Sequence, residues 1–176
     1  MNPNRLQVPD IDSQKNSIRE EITDKLKQMT PEQRSEYSAR INSALESTEE
    51  YQTAKIIAAF QPYSTEPQIN TDDERIALPS VRDNGEMDFC IGDRVVAPDE
   101  IDLIIVPCRA YDPAAKQRLG RGGGYYDRYL AQVQAPKFAV AFSAQAIENL
   151  PVEEHDVPVD VIFTEFSTPT PQRDRI

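Results

Sequence analysis

The chain has 176 residues, a length that suits one domain with a sizeable apolar core. It carries 30 acidic and 19 basic side chains, and this net charge of -11 argues against a nucleic-acid-binding surface, which needs clustered Lys and Arg. No apolar run reaches membrane-spanning length and the N-terminus lacks the apolar core of a signal peptide, so we expect a cytoplasmic protein that binds neither membranes nor nucleic acids.

The N-terminal segment is predicted to be a tail followed by a helix. Residues 1–11 hold two prolines and no periodic pattern, so we expect a loose tail. Asp12 or Ser13 can cap a helix that runs to about residue 29, because apolar side chains recur there at helical spacing. These side chains are Ile18, Ile22, Leu26 and Met29. Lys15 and Arg19 share another face of this helix, and on their own they are typical of a solvated surface.

A second helix is predicted from TPEQ at residues 30–33, which combines an N-cap threonine, a first-turn proline and a capping-box glutamine. We expect it to end near residue 47 and to bury Ile41, Ala44 and Leu45.

Short apolar segments, several of them rich in β-branched residues, predict strands along the rest of the chain. They span residues 54–60, 75–78, 87–91, 101–106, 137–142 and 159–164. Cys90 and Cys108 lie within or beside these strands, so we expect buried free thiols rather than a disulfide framework. Helical segments at residues 124–134 and 144–149 alternate with the later strands, which predicts an α/β domain with a largely parallel sheet behind an N-terminal helical pair.

Three loops follow predicted strands, at residues 61–70, 107–123 and 143–158. In open parallel sheets ligands bind beyond the carboxyl ends of the strands, so these loops should border one cleft. Glu66 lies in the first loop and Asp156 in the last, although each can also be an ordinary loop acid.

The stretch RLGRGGGYYDRYL at residues 118–130 contains four of the six glycines. Successive glycines before a helix can converge their backbone N–H groups on an anion such as phosphate, or they can form a plain tight turn, and the residues alone leave both interpretations open. The stretch lacks the lysine of a P-loop, and it departs from G-x-G-x-x-G because position 125 is tyrosine and no strand is predicted directly before the glycines.

Asp127 follows the glycines in the first turn of the predicted helix. It can complement the helix dipole or hold Mg²⁺ beside phosphates, with Asp156 as a second carboxylate. Tyr125 and Tyr126 straddle the helix start, so one can pack on the core while the other faces the cleft. His155, the only histidine, is expected to be a solvated loop residue.

The stretch at residues 118–130 resembles the signature of the 5-formyltetrahydrofolate cyclo-ligase family, also called 5,10-methenyltetrahydrofolate synthetases. Further segments resemble that family in the same order and extend the resemblance from residue 15 to residue 165. They read KNSIR at 15–19, AAFQPYSTE at 58–66, IDLIIVPCRAYD at 101–112, AVAF at 139–142 and EEHDVPVDVIFTE at 153–165. Two departures are that Gly123 stands where some members carry lysine, and that residues 67–74 are too few for the helix usual there.

The resemblance implies a single three-layer α/β/α domain over residues 1–176, with loose tails at 1–11 and 167–176. It also implies conversion of 5-formyltetrahydrofolate to 5,10-methenyltetrahydrofolate with ATP and Mg²⁺. In that chemistry the γ-phosphoryl group activates the formyl oxygen, N10 attacks the formyl carbon, and phosphate leaves, so no side-chain nucleophile is needed.

The same resemblance implies roles for individual residues. ATP would be bound by Lys15, Arg19, Arg118, Leu119, Gly120, Arg121, Gly122, Gly123, Gly124, Tyr125 and Tyr126. The folate would be bound by Glu66, Gln61, Arg121, Gly124 and Tyr125, with Gln68 as an alternative pterin contact. Catalysis would involve Arg118, Arg121 and Tyr126, and Mg²⁺ would be held by Asp127 and Asp156.

Two other functions stay open from the sequence: a folate- or nucleotide-binding protein without turnover, and a phosphotransferase with another small acceptor. We expect a monomer, because no exposed apolar stripe stands out in the sequence.

Overall fold

The structure is a computed structural model that describes residues 9–169. The expected tails therefore lie mostly outside the described residues. The helices within this range are α1 (Ile11–Lys27), α2 (Pro31–Glu46), α3 (Glu49–Thr53) and α4 (Tyr125–Leu130). Within the described residues, no helix is long and apolar enough to cross a membrane.

Helix α1 begins earlier than the sequence predicts. Its N-cap is Asp10, whose Oδ1 accepts a hydrogen bond of 2.8 Å from the backbone N–H of Ser13, so the predicted cap at Asp12 or Ser13 is wrong. Asp10 was assigned to the loose tail, although its carboxylate satisfies a backbone donor that the first helical turn leaves unpaired. The helix therefore starts at Ile11, inside the predicted tail.

Helix α2 has the predicted capping box: the Thr30 hydroxyl accepts from the N–H of Gln33, and the Gln33 side chain accepts from the N–H of Thr30. Ile41, Ala44 and Leu45 are buried as predicted.

The strands form one seven-stranded sheet and a separate two-stranded hairpin. Their bounds are β1 (Ile57–Ala58), β2 (Ile76–Val81), β3 (Met87–Ile91), β4 (Arg94–Val96), β5 (Leu103–Pro107), β6 (Ala110–Asp112), β7 (Gln117–Leu119), β8 (Lys137–Val140) and β9 (Val161–Phe163). The sheet order is β4-β3-β2-β1-β5-β8-β9, in which β2, β1, β5, β8 and β9 run parallel and β3 and β4 add an antiparallel edge. The predicted, largely parallel α/β sheet is confirmed.

Several predicted element bounds are corrected by the structure. The strand expected at residues 54–60 is reduced to β1, helix α4 ends at Leu130, and residues 144–149 hold no α-helix beyond the 3₁₀ turn Ser143–Gln145. The loop expected at residues 107–123 contains the β6–β7 hairpin, so a strand does precede the glycines directly. Three-residue strands are too short to show the alternation of apolar and polar residues, so they could not be predicted from the sequence.

The central strands separate two apolar layers. Leu103 and Ile105 pack with the buried residues of α1, α2 and α3, whereas Ile104 and Val106 pack with residues of α4. Successive side chains of a strand point to opposite faces, so β5 supplies the core on both sides. This three-layer arrangement leaves the loops after β1 and β5 at one edge of the sheet, beside the glycines.

Candidate active site

A cleft of about 360 Å³ lies between the loops after β1 and β5 and the glycine loop, residues 120–124. It brings together most of the predicted site residues. Those lining it are Gln61, Glu66, Arg118, Gly120, Arg121, Gly123, Gly124, Tyr125, Tyr126 and Asp127. Lys15, Arg19, Leu119, Gly122 and Asp156 do not line it, and Leu119 is buried in the core instead.

The glycine loop adopts a backbone that requires glycine. Gly122 has φ of 111° and Gly124, the N-cap of α4, has φ of 67°. Both angles lie in the region that a side chain disfavours. The loop is also fixed against α1, because the Arg19 Nε–H donates a 2.9 Å hydrogen bond to the carbonyl of Gly120.

Arg118 lies beneath this loop rather than in solvent. Its side chain is 1% exposed, its Nη2 donates to Asp127 Oδ1 at 3.2 Å, and its Nη1 donates to the carbonyl of Pro107 at 3.4 Å. Its Nε has no hydrogen-bond partner among the described residues. The guanidinium is therefore placed to orient Asp127 from below the cleft.

Both tyrosines line the cleft, but they differ in burial. Tyr126 packs edge-on against Phe89 with ring centroids 6.3 Å apart and lies 5.6 Å from the Arg118 guanidinium carbon, whereas Tyr125 is exposed beside Arg128. Burial raises the pKa of Tyr126, so its hydroxyl stays protonated at neutral pH and is available as a hydrogen-bond donor.

Glu66 also lines the cleft and is buried. Its Oε1 accepts from Arg121 Nε at 3.0 Å and Nη2 at 2.7 Å, and its Oε2 accepts from the N–H of Tyr63 at 2.9 Å. The Arg121 guanidinium also stacks over the Tyr63 ring at 4.0 Å. A ligand that bonds Glu66 must therefore compete with Arg121.

Gln68, the alternative contact, instead donates to the carbonyls of Tyr63 and Glu66. This bonding shapes the loop that carries Glu66.

Lys15 is buried, contrary to the solvated-surface interpretation of its helix face. Its Nζ donates to Glu153 Oε2 at 2.7 Å and to Asp156 Oδ2 at 2.6 Å, which ties α1 to the loop before β9. Burial raises the pKa of Asp156, but the hydrogen bonds from Lys15 and from the N–H of Glu153 outweigh burial and hold that pKa below its usual value of 3.8.

The predicted Mg²⁺ ligands, Asp127 and Asp156, are linked through the backbone of the residue that follows Asp156. The N–H of Val157, the residue after Asp156, donates to Asp127 Oδ1 at 3.2 Å. All hydrogen bonds to Asp127 reach Oδ1 and all those to Asp156 reach Oδ2. Each carboxylate thus keeps one oxygen without a hydrogen bond among the described residues, which fits the carboxylate ligation that Mg²⁺ prefers.

Arg109 and Tyr63 are site residues that the sequence reasoning missed, and both line the cleft. Arg109 follows β5 at the position where parallel strands present ligand contacts, and this placement was the available signal. Burial, followed by the positive charges of Arg121 and Arg19, lowers the pKa of Arg109 below its usual value.

Comparisons with known proteins agree with the family resemblance of residues 118–130. Residues 92–165 match the model of the 5-formyltetrahydrofolate cyclo-ligase family. The 5-formyltetrahydrofolate cyclo-ligase of Mus musculus is 26% identical over 198 residues, covering 89% of this chain and 96% of that protein. The protein of the same name from Escherichia coli (strain K12) is 41% identical over 73 residues, or 40% of each chain.

A solved structure is also similar, that of a 5,10-methenyltetrahydrofolate synthetase from Mycoplasma pneumoniae. It has 28% sequence identity and a TM-score of 0.78, and the match covers 86% of this chain and 98% of that one.

The segment that matches the family model contains the glycine loop, Asp127 and Asp156. The mouse alignment and the Mycoplasma structure extend the similarity over most of the chain, including much of the N-terminal half. The family recognised from residues 118–130 is thereby confirmed, and with it the mixed α/β fold. Residues 92–165 thus match the 5-formyltetrahydrofolate cyclo-ligase family model, and most of the chain is similar to enzymes that carry this name.

Proposed function

We propose that this protein converts 5-formyltetrahydrofolate to 5,10-methenyltetrahydrofolate with ATP and Mg²⁺, releasing ADP and phosphate. The observation that carries the proposal is the 360 Å³ cleft, which is lined by the buried Glu66, by the glycine loop with Arg121, and by Asp127. The family relatives bear the name of this activity. We assign Glu66 and the apolar walls to the folate, and the glycine loop with Asp127 to the nucleotide.

The folate end has apolar walls and a polar end group. Phe60, Pro79 and Met87 line the cleft together with Tyr126, and such walls suit a flat heterocycle. Glu66 can accept paired hydrogen bonds from the N–H groups of a pterin once Arg121 moves aside. Gln61, Gly124 and Tyr125 border the same space.

The nucleotide end combines cations with backbone donors. Arg19 contacts the glycine loop directly, and Arg121 rises from that loop. Lys15 lies on the same helix as Arg19, so ATP phosphates would compete with Asp156 and Glu153 for its ammonium group. ATP, when bound, supplies the phosphoryl group that turns the formyl oxygen into a leaving group.

In this proposal the protein acts by alignment and charge neutralisation. Arg121 would neutralise charge on the transferring group, Arg118 would hold Asp127 in place, and the neutral Tyr126 hydroxyl would donate a hydrogen bond. Asp127 and Asp156 would hold Mg²⁺ through the oxygens that carry no hydrogen bond. N10 of the folate would then attack the formyl carbon and close the ring, and the bond from that carbon to the phosphorylated oxygen would break, so that inorganic phosphate leaves with the former formyl oxygen.

The test is an absorbance assay for the methenyl product with purified protein, 5-formyltetrahydrofolate, ATP and Mg²⁺. We expect product formation that requires both ATP and Mg²⁺ and that releases one ADP per product. Product formation of equal rate without ATP would contradict the mechanism. Ligand binding in a calorimeter without any product would instead favour a binding protein.

We further propose that the protein acts as a cytoplasmic monomer on small molecules, without a nucleic-acid or membrane partner. The net charge of -11 supports the exclusion of nucleic acid. Sedimentation at micromolar concentration should give a mass near 19.9 kDa, and a stable dimer would contradict the proposal.

A further inference from the structure

Arg109 lies between two cavities. It lines the cleft and also an adjoining space of about 450 Å³ against α1, and Arg121 is the other residue that lines both. The backbone of Arg109 is fixed, because its N–H donates a 2.7 Å hydrogen bond to the carbonyl of Leu119 at the end of β7. This hydrogen bond places the backbone of Arg109 beside Leu119, the residue before the glycine loop.

The Arg109 guanidinium has no hydrogen-bond or ion-pair partner within residues 9–169. Glu66 acts on it electrostatically, but the Glu66 oxygens are already bonded to Arg121 and to the N–H of Tyr63. Arg109 is also half-buried and feels the like charges of Arg121 and Arg19. Three guanidinium groups thus share one bonded carboxylate within the described part of the chain, that of Glu66, and a bound anion would recover the free energy that their repulsion costs.

The space against α1 is enriched in cations. Arg19, Arg109, Arg121 and Lys27 line it, against two carboxylates, Glu20 and Asp24. Asp24 is already paired with Lys27 at 3.1 Å, and Arg121 is paired with Glu66 at 2.7 Å, so among the described residues Glu20 is the one remaining carboxylate lining this space for Arg19 and Arg109.

The backbone of the glycine loop passes close to the Arg19 guanidinium. A Cβ built on Gly122 would lie 3.5 Å from the Arg19 guanidinium carbon. No side chain at position 122 therefore separates the loop backbone from that guanidinium.

We propose that Arg109 binds a phosphate group of the nucleotide, as the third guanidinium of a site formed with Arg19 and Arg121. The proposal rests on the proposed function for the identity of the ligand. A polyphosphate carries several charges and presents oxygens in many directions, so it suits convergent planar guanidinium groups better than a single carboxylate does. Arg109 also borders the cleft, which places it where a terminal phosphate would meet the folate.

The test uses inorganic tripolyphosphate, which removes the folate and the nucleoside from the measurement. Calorimetric titration of the wild type and of Arg109→Met should show binding weakened by about 10- to 100-fold in the variant. The matched control is Arg40→Met on α2, which removes the same charge from an exposed position paired with Glu36, and its affinity should equal that of the wild type. Equal affinities in all three proteins, or no binding by the wild type, would overturn the proposal.

Three further measurements test the assignment of Arg109 to the phosphate. Binding of 5-formyltetrahydrofolate should be unchanged in Arg109→Met, and a selective loss of folate affinity would assign Arg109 to substrate carboxylates and overturn the proposal. Thermal unfolding without anions should give a Tm of Arg109→Met at or above that of the wild type, and Arg109→Lys should bind tripolyphosphate with intermediate affinity. If tripolyphosphate binds through Arg109 but no methenyl product forms, the proposed function fails and this inference stands.

Discussion

Asp127 has two roles at the scale of single residues. It accepts hydrogen bonds from the buried Arg118 and from the N–H of Val157 through one oxygen, and its other oxygen carries no hydrogen bond among the described residues, although the residue lines the cleft. The first role belongs to the fold and the second to the proposed chemistry. An amide can keep the acceptor oxygen but cannot replace the negative charge, so substitution by asparagine separates the two roles.

We predict that Asp127→Asn lowers kcat by about 100-fold or more, because a carboxylate that holds the metal and the charge around the phosphates is lost. Steady-state rates measured across a range of Mg²⁺ concentrations should stay low even at saturation. Thermal unfolding serves as the control and should show a folded protein. A wild-type rate in this variant would contradict the metal assignment.

A second residue-scale prediction concerns Gly122. Its φ of 111° disfavours any side chain, while the Cβ of an alanine would meet Arg19 only at ordinary contact distance. Gly122→Ala should therefore strain the glycine loop by about 1–3 kcal/mol and reduce ATP affinity and turnover. Gly85→Ala is the matched control, since Gly85 has φ of 80° in the β2–β3 turn with nothing within 4 Å of an added Cβ. It should lower stability and leave KM for ATP unchanged.

At the scale of elements, α1 is joined to the loop before β9 by the Lys15 ammonium group. Lys15 is buried with Asp156, whose side chain is 11% exposed. Burial lowers the pKa of Lys15, but the hydrogen bonds to Asp156 and Glu153 outweigh it, so the pKa lies above 10.5. The Lys15–Asp156 ion pair therefore stabilises the fold over the pH range in which both side chains stay charged.

We predict that Lys15→Met costs about 3 kcal/mol of unfolding free energy at pH 7, because two partly buried carboxylates lose their counter-charge. The folded pKa of Asp156 is depressed, so the stability that the pair provides is present above pH 3.8 and is lost as the pH falls through the lower folded value. Urea unfolding at pH 7 and at pH 3 should show the difference between wild type and variant shrinking at the lower pH.

Lys25→Met on the same helix provides the control for that experiment. Lys25 pairs with Glu21 four residues earlier, and both side chains are about half exposed. Its removal should cost only about 0.5 kcal/mol or less at either pH. Similar losses for Lys15→Met and Lys25→Met would mean that burial does not strengthen the Lys15 contacts.

How much could be predicted from the sequence depends on the length of the elements. The capping box of α2 and the apolar run of β5 stand out because each satisfies several local rules at once. The β6–β7 hairpin and the Asp10 cap were missed, since three-residue strands and a cap beside proline carry little periodic signal. In the site, the glycine loop was recognisable from composition, but the Glu66–Arg121 and Lys15–Asp156 pairs join residues far apart in sequence and needed the fold.

At the scale of the whole molecule, the two faces of one sheet each pack against a separate apolar layer. Ile105 packs with the layer of α1, α2 and α3, and Ile104, its neighbour in β5, packs with the layer of α4. Both side chains are buried, with 1% and 0% exposure. Because β5 lies inside the sheet, between β1 and β8, and contributes to both layers, neither layer can lose its packing without disturbing the other.

We therefore predict that the chain unfolds as a single domain in one transition. Ile104→Ala and Ile105→Ala should each lower the unfolding free energy by about 2–5 kcal/mol, since each leaves a cavity beside a central strand. Fluorescence and circular dichroism followed through urea unfolding should give coincident midpoints for the wild type and for both variants. Val95→Ala on the edge strand β4 is the control, because Val95 is 51% exposed and should change stability by little. Two separated transitions, with each core variant shifting only one of them, would show that the layers fold independently and would contradict the single domain.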